Sequence, residues 1–248
     1  MIASRHLRPV LALAASLAVI WSASAAPVSR YDGLVLPFRE VVVSSPVQSV
    51  IVTIAHREGD SVKAGDVLAQ LYNRIEELDM LRSKAALEKR EFDFKGTSNL
   101  FKDQIISQDE ALKNKIELEL ARLQAEQATE LYKQRTIVAP IDGLIVEQMR
   151  EVGESVTATQ PVFRLVDIAQ VYVQFYIRAE ELGRFKLGDE VDVFYSAGEA
   201  KAQRRGKVDF VDPRIDAASG LLRVKVLVPN PDRQIMPGLR VEVAPATV

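Results

Sequence analysis

Few of the side chains that carry out chemistry in proteins occur in this sequence. Its 248 residues include no cysteine, which excludes disulfides, thiolate zinc sites, iron–sulfur clusters and cysteine nucleophiles. Of the two histidines, His6 and His56, neither is accompanied by the nucleophile-elbow motif of a Ser-His-Asp hydrolase. Paired carboxylates would suffice for glycoside hydrolysis, but among 34 acidic residues such pairs arise by chance. The sequence therefore predicts a protein that is not an enzyme.

Metal and cofactor binding are equally poorly supported. A site for a soft metal ion needs several histidine or methionine side chains close together. After the first 26 residues the candidates are His56, Met80, Met149 and Met236, which lie far apart in the chain. We therefore predict no metal site and no cofactor, and we interpret His56 as a solvated or capping residue at a turn.

The overall composition is that of a globular protein of one or two domains. Hydrophobic residues make up 48% of the chain and charged residues 27%, which excludes wholesale disorder. The formal net charge of −2 provides no basic surplus for binding nucleic acid. We therefore expect no nucleic-acid partner.

The N-terminus has the features of a secretory signal peptide. Arg5 and Arg8 precede an apolar run over residues 10–20, and small residues follow it. The alternative is an uncleaved membrane anchor, but the run falls short of the roughly 20 residues that span a bilayer. We predict that residues 1–25 are a cleaved signal peptide and that residues 26–44 form an N-terminal strand and linker.

Two segments of the chain repeat each other without a gap. Residues 45–71 align with residues 139–165 at a shift of 94 positions, and eight of the 27 pairs are identical. Each copy contains short strands rich in valine and isoleucine, and Gly59 and Gly153 occupy equivalent turns. Because each half is too small to bury a core alone, we expect residues 45–72 and 135–167 to pack together as one β-sandwich. The other glycines that we assign to structural turns are Gly65, Gly143 and Gly238.

The segment between the two copies, residues 73–134, is helical in character, with no proline and one glycine. Its second half begins with a capping box at Ser107. Seven residues there follow a 3,4 spacing that predicts a coiled-coil seam, namely Ala111, Asn114, Leu118, Ala121, Ala125, Ala128 and Tyr132. The first half has two candidate apolar stripes, one through Leu78, Ala85 and Phe92 and one through Met80, Leu87 and Phe94. We predict an antiparallel helical hairpin that projects about 40 Å.

Residues 168–245 contain regularly spaced short strands separated by turn signals, which is typical of a small antiparallel β-barrel. The predicted fold is therefore mostly β with an α-helical hairpin. A split, lipoyl-like β-sandwich is interrupted by an antiparallel coiled-coil hairpin and followed by a small antiparallel β-barrel, with residues 246–248 as a tail.

Five motifs in this order resemble the periplasmic adaptor family, also called membrane fusion proteins of the HlyD-like type, which serve tripartite efflux pumps with RND-type transporters. Residues 58–69 are similar to the first half-lipoyl signature and residues 139–145 to the start of the second. Residues 212–216, 228–232 and 236–238 are similar to the barrel pattern of the family. The resemblance covers nearly the whole chain after the leader.

The resemblance implies an efflux adaptor in the periplasm. It would link an inner-membrane RND-type transporter to an outer-membrane channel for the export of small molecules, and copies of it would associate into a ring. With no N-terminal cysteine for a lipid, association with the inner membrane would depend on partner proteins. A lipoate or biotin carrier is disfavoured, because the helical insertion replaces the hairpin whose lysine a carrier would modify.

Besides the missing N-terminal cysteine, two features depart from the family pattern. Leu100 and Ser107 match the hairpin tip of drug-efflux adaptors, but Gly96 stands where those adaptors commonly have arginine, with Lys95 beside it. The chain also ends directly after the barrel, so the membrane-proximal domain is expected to be absent. These departures keep open an alternative function, an exported binding or assembly module that uses the adaptor scaffold without an outer-membrane channel.

The residues that we assign to partner contact lie at the hairpin tip. They are Lys95, Leu100, Phe101, Ile105, Ile106 and Ser107. A solvated reversal would favour glycine, asparagine and aspartate, whereas four of these side chains are apolar. Packing between the two helices is the alternative explanation for them, and helix capping is a sufficient explanation for Ser107.

Overall fold

The structure, a computed structural model, describes residues 29–197 and 200–246 and confirms the predicted fold class. The predicted signal peptide lies outside the described residues. The helices are α1 (Arg74–Lys102) and α2 (Gln108–Lys133), and Ala179–Glu181 form a 3-10 turn. The strands are β1 (Tyr31–Ser44), β2 (Ser49–Ile54), β3 (Ser61–Val62), β4 (Val67–Leu71), β5 (Thr136–Val138), β6 (Gly143–Gln148), β7 (Ser155–Val156), β8 (Pro161–Arg178), β9 (Glu190–Ala197), β10 (Ala200–Val211), β11 (Leu221–Pro229) and β12 (Arg240–Pro245).

The two copies of the sequence repeat interlock to form the sandwich. The Gly59 N–H donates to Ile145 O, and the equivalent Gly153 N–H donates to Ile51 O, both at 2.8 Å. Strand β3 pairs with β6, and β2 pairs with β7, so each copy completes a sheet of the other. Ile51 and Ile145, which are equivalent in the repeat, are both almost fully buried in the core. The pairing of the copies that the repeat predicted is thereby confirmed.

Strands β1 and β8 run through both the sandwich and the barrel. They pair antiparallel from Gly33–Phe175 to Ser44–Pro161, with a bulge between Pro37 and Arg39. The N-terminal part of β1 and the C-terminal part of β8 close a six-stranded barrel in the order β1-β12-β9-β10-β11-β8. The C-terminal part of β1 and the N-terminal part of β8 belong to the sandwich. Within the segment predicted as an N-terminal strand and linker, residues 31–44 form a strand that belongs to both domains.

A buried asparagine fixes the barrel to the point where β8 leaves the sandwich. Asn230 has no exposed surface, and its Nδ2 donates to the carbonyl oxygens of Ile168 and Ile235, each at 2.9 Å. Its Oδ1 accepts from the Ile235 N–H at 3.1 Å, so all the polar atoms of the amide are used. From the same loop, Arg233 donates to Ser61 Oγ of the sandwich at 3.1 Å. The loop that contains Asn230 and Arg233 thus contacts both β domains.

The glycines assigned to turns fall into two groups. Gly59, Gly65, Gly153 and Gly238 have φ between 90° and 92°, the left-handed region that glycine tolerates best. Gly143 differs, since it is the first residue of β6 and its φ is not positive. A Cβ atom there would lie 2.6 Å from the carbonyl oxygen of Val166, so its glycine is required by a close approach of two backbones rather than by a turn.

Candidate functional site

The two helices pack along a seam of small and apolar residues, and the tip of the hairpin lies far from the sandwich. Three small residues of α2, Ala121, Ala125 and Ala128, are buried against α1, as the heptad spacing predicted. Of the two apolar stripes of α1, the one through Met80, Leu87 and Phe94 is partly buried, whereas Phe92 of the other is 77% exposed. Because α1 has 29 residues, the tip lies about 40 Å from the base of the hairpin.

A polar cluster anchors the base of the hairpin. Arg135 follows α2 and pairs with Glu76 of α1 at 2.6 Å, with both side chains about four-fifths buried. Arg135 also donates to Gln48 O, and its own carbonyl oxygen accepts from Gln70 Nε2 at 2.9 Å. Sequence reasoning missed this cluster, because its members are distant in the chain and no local pattern marks them.

The reversal between the helices is a Schellman motif. The N–H of Ile105 donates to Leu100 O at 2.8 Å, and the N–H of Gln104 donates to Phe101 O at 3.0 Å. Gln104 has a φ of 61°, the left-handed conformation that this motif requires and that glycine usually supplies. The absence of a glycine hid this motif from sequence analysis. The motif often brings together the residues at positions 100 and 105, which accounts for part of their apolar character.

Helix α2 begins as predicted at Ser107. The Ser107 Oγ accepts from the Glu110 N–H at 3.2 Å and satisfies one of the free donors of the first turn. Asp109 and Glu110 add negative charge there, which favours the N-terminal end of the helix dipole. This contact explains the serine structurally and leaves its exposed surface available to a partner.

The structure brings five of the six predicted contact residues together at the tip. Leu100 and Phe101 are each 43% exposed and Ile105 is 67% exposed, while Ile106 is partly buried and Ser107 is exposed. Lys95 is exposed but lies on α1 about 9 Å before Phe101, so it flanks the tip rather than forming it. The tip is therefore a largely exposed apolar surface at the far end of the hairpin.

In the barrel, a tyrosine is held by a carboxylate beside a turn. Tyr31 Oη donates to Glu181 Oε1 at 2.6 Å, and its ring packs against Phe175 and Phe185. Burial, followed by the hydrogen bond to this carboxylate, raises the pKa of Tyr31 to about 12. The hydrogen bond from Tyr31 lowers the pKa of Glu181 in turn. The cluster thus ties the 3-10 turn to β1.

Two domain families match the chain in the same order as the fold. The CzcB-like barrel-sandwich hybrid domain matches residues 39–167, and the CusB-like β-barrel domain matches residues 170–247. The junction between the matches lies within β8. Among the described residues, neither helix combines the length and the hydropathy needed to cross a bilayer.

The chain is also similar to curated proteins and to solved structures. It is 23% identical over 209 residues to the cobalt-zinc-cadmium resistance protein CzcB of Cupriavidus metallidurans, covering 78% of this chain and 40% of that protein. It is 24% identical over 243 residues to the multidrug resistance protein MdtE of Escherichia coli K12, covering 86% and 62%. The chain thus spans from about two-fifths to three-fifths of the length of these relatives.

A MacA-MexA chimera that contains the α-hairpin domain of Pseudomonas aeruginosa MexA superimposes with a TM-score of 0.75 at 21% identity. The superposition covers 89% of this chain and 79% of that one, which establishes a shared fold. The interrupted sandwich, the hairpin, the barrel and the family match to residues 39–167 all agree with the resemblance seen in the sequence. The chain therefore belongs to the membrane fusion protein family, the non-catalytic adaptors of RND-type efflux systems.

Proposed function

We propose that this protein is a periplasmic adaptor that links an inner-membrane RND-type transporter to an outer-membrane channel for the export of small molecules. The observation that carries the proposal is the exposed apolar tip on the hairpin. A two-helix rod about 40 Å long orders many residues and leaves much of their surface in water. Such a rod is useful when its far end must reach another protein.

The two ends of the molecule contact different partners. The hairpin tip contacts the channel, the sandwich and barrel face the transporter, and copies of the chain associate laterally into a ring. The basic and apolar pattern of residues 1–25 supports export to the periplasm. Association with the inner membrane then occurs through partner proteins. Membership of the adaptor family supports each of these assignments at the level of the family.

Substitution at the tip tests the docking role. Ile105 is 67% exposed, so Ile105→Asp should leave the fold intact while it places a charge at the centre of an apolar contact. We expect Ile105→Asp to abolish export and Ile105→Val, the matched control, to retain it. Circular dichroism and melting of both variants establish that they fold. Wild-type export by a folded Ile105→Asp variant would contradict the docking role.

Partner capture tests the adaptor role as a whole. The tagged protein, recovered from membranes of the native organism after mild cross-linking, should bring down an RND-type transporter and an outer-membrane channel. Recovery of neither would contradict the proposal.

One observation favours a second candidate, an exported assembly module with no channel partner. Gly96 stands on an exposed turn of α1 with no atom within 4 Å of the position of a Cβ, where drug-efflux adaptors commonly carry arginine. Recovery of the transporter without any channel, together with wild-type activity of Ile105→Asp, would favour this candidate over the channel-linked adaptor.

A further inference from the structure

Strands β1 and β8 carry the chain between the sandwich and the barrel, and their pairing is interrupted at the junction. Ile168 and Ala169 of β8 fall in a bulge of the β1–β8 pair, where Phe38 is the opposing residue of β1. On the other side of β8, the pairing with β6 ends at Val166 and the pairing with β11 begins at Gln170. The two bulge residues therefore have no partner in a neighbouring strand of the described chain. Bulges of this kind are places where a pair of strands bends.

A loop of the barrel supplies the missing partner. We call residues 230–239, which connect β11 to β12, the β11–β12 loop. The backbone N–H and the side-chain amide of Asn230 donate to the carbonyl oxygens of the two bulge residues, both at 2.9 Å. Asp232 holds the loop to the barrel, because its carboxylate accepts from both terminal nitrogens of Arg204 at 2.7 and 2.8 Å. The loop is thus fixed on the barrel and lies against the junction.

A hydrogen bond joins this loop to the sandwich. Arg233 Nη1 donates to Ser61 Oγ of β3 at 3.1 Å, and both residues are exposed. Within residues 29–197 and 200–246, no other hydrogen bond links the β11–β12 loop to β3 or β6. Because β6 lies between β3 and β8, and neighbouring strands are about 4.8 Å apart, Ser61 lies about 10 Å to the side of β8. This contact, which we call the latch, is therefore well placed to resist bending at the bulge.

The backbone of Arg233 is held in an uncommon conformation. Its φ is 53°, in the left-handed region that glycine and asparagine usually supply. Its N–H donates to Asn230 O at 3.1 Å, so Arg233 ends the turn that begins at the buried asparagine. A residue strained in this way persists where the surrounding structure fixes it, and such residues cluster at functional positions. Glycine at this position would relax the turn, but no side chain would then reach Ser61.

We infer that Arg233 is a positioning residue and that the latch sets the angle between the barrel and the sandwich. When the latch breaks, the barrel rotates relative to the sandwich about the β1–β8 bulge, while Asn230 and Asp232 keep the loop on the barrel. A rotation of about 10° moves a point about 40 Å away by about 7 Å, so a small change at the latch becomes large at the hairpin tip. The inference concerns the conformation of this chain and holds whichever partners it has.

The distance between two spin labels tests the latch, because the native chain contains no cysteine to interfere. Lys84→Cys on α1 and Gln203→Cys on β10 place the labels at exposed positions on either side of the junction. In this background, double electron–electron resonance should give one dominant distance. Arg233→Ala and Ser61→Ala each remove the latch. We expect each of them to raise the population at other distances about two- to ten-fold, the range that the loss of one hydrogen bond gives.

Three controls separate the latch from a general loosening of the fold. Ser61→Thr keeps the accepting hydroxyl and should retain the native distance distribution. Arg240→Ala removes an exposed arginine of β12 without altering the latch and should also retain it. Labels at Thr53 and Lys84, which both lie on the sandwich side of the junction, should report an unchanged distance in every variant.

The double variant Arg233→Ala/Ser61→Ala should have no larger effect than either single variant, since both changes remove the same bond. The native distance distribution in a folded Arg233→Ala or Ser61→Ala variant would overturn the inference. Equal broadening in Arg240→Ala, or full additivity of the two single changes, would overturn it too. Circular dichroism and melting establish that each variant folds, and because both latch residues are exposed, Tm should stay close to that of the native protein.

Discussion

Replacing Thr159 by glycine should stabilise the sandwich, because Thr159 is held in a backbone conformation that β-branched residues rarely adopt. Its φ is 67°, and its side chain is exposed. The equivalent residue of the first repeat copy, 94 positions earlier, is Gly65 with a φ of 92°. The hydrogen bonds are equivalent too, since Thr159 N–H donates to Ser45 O and Gly65 N–H donates to Ala139 O, both at 2.8 Å. The two turns therefore differ mainly in residue type, because the left-handed conformation strains Thr159 but not Gly65.

The magnitude follows from two opposing contributions. A left-handed conformation costs a residue with a side chain about 1–2 kcal/mol. Glycine recovers this cost but loses about 0.4–1 kcal/mol through the greater freedom of the unfolded chain. We therefore expect Thr159→Gly to raise the free energy of unfolding by about 1 kcal/mol, which for a chain of this size raises Tm by about 2–4 °C.

The matched variant is Gly65→Thr. A Cβ atom at Gly65 would have no neighbour within 4 Å, so the threonine meets no steric clash and adds only backbone strain. In urea unfolding followed by circular dichroism, we expect the free energy of unfolding of Gly65→Thr to be about 1 kcal/mol lower than that of the wild type. The backbone strain and the entropy of the unfolded chain that act in Thr159→Gly act here with reversed sign. If Thr159→Gly lowers the midpoint, or if both variants leave it unchanged, the assignment of strain to Thr159 is wrong.

Three further predictions concern the tip, the base of the hairpin and the barrel. Gln104→Gly should raise the free energy of unfolding by about 1 kcal/mol in thermal melts, because it relieves the left-handed φ of 61°, whereas Gln104→Ala should give no such gain. Glu76→Gln should lower the free energy of unfolding in urea by about 2 kcal/mol, because it weakens a largely buried charged hydrogen bond to Arg135. Glu77→Gln, in the more exposed ion pair with Arg74, should have little effect. The pKa of Tyr31, raised to about 12 from the usual 10, means that its contribution to stability is complete below pH 10 and disappears as the pH rises through 12. The pKa of Tyr31 is measured by the ultraviolet difference titration of the wild type against Tyr31→Phe. A midpoint at the usual tyrosine value would contradict the burial of this phenol.

The features that could be predicted from the sequence are those marked by a local motif or by a repeated pattern. The 27-residue repeat, at a shift of 94 positions, identified which halves pair, since identical residues such as Ile51 and Ile145 lie in one core. The 3,4 spacing identified the buried alanines of α2, and the serine at position 107 identified its first turn. These signals are local or periodic, so they survive in a single sequence.

The features that could not be predicted depend on tertiary placement. The partners at the hairpin base, Arg135 and Glu76, become neighbours when the hairpin has folded, and any of 32 basic and 34 acidic residues could have formed such a pair. The positive φ angles of Gln104 and Thr159 left no signal, because the usual marker of that conformation is glycine. Gly143 was interpreted as a turn residue, whereas its role is to admit the carbonyl oxygen of Val166, a contact that only the folded sandwich creates.

The position of the hairpin within the repeat explains how the fold tolerates so long an insertion. The hairpin begins where the first copy ends and returns where the second begins, and the Leu71 N–H donates to Arg135 O at 2.8 Å across its base. Its two ends are therefore held together by the sandwich, and the entropic cost of closing the loop grows only slowly with the length of the insertion. The seam is also built of heptads, so whole heptads can be added or removed without changing the face of each helix that packs against the other. The reach of the hairpin can thus vary without disturbing the sandwich.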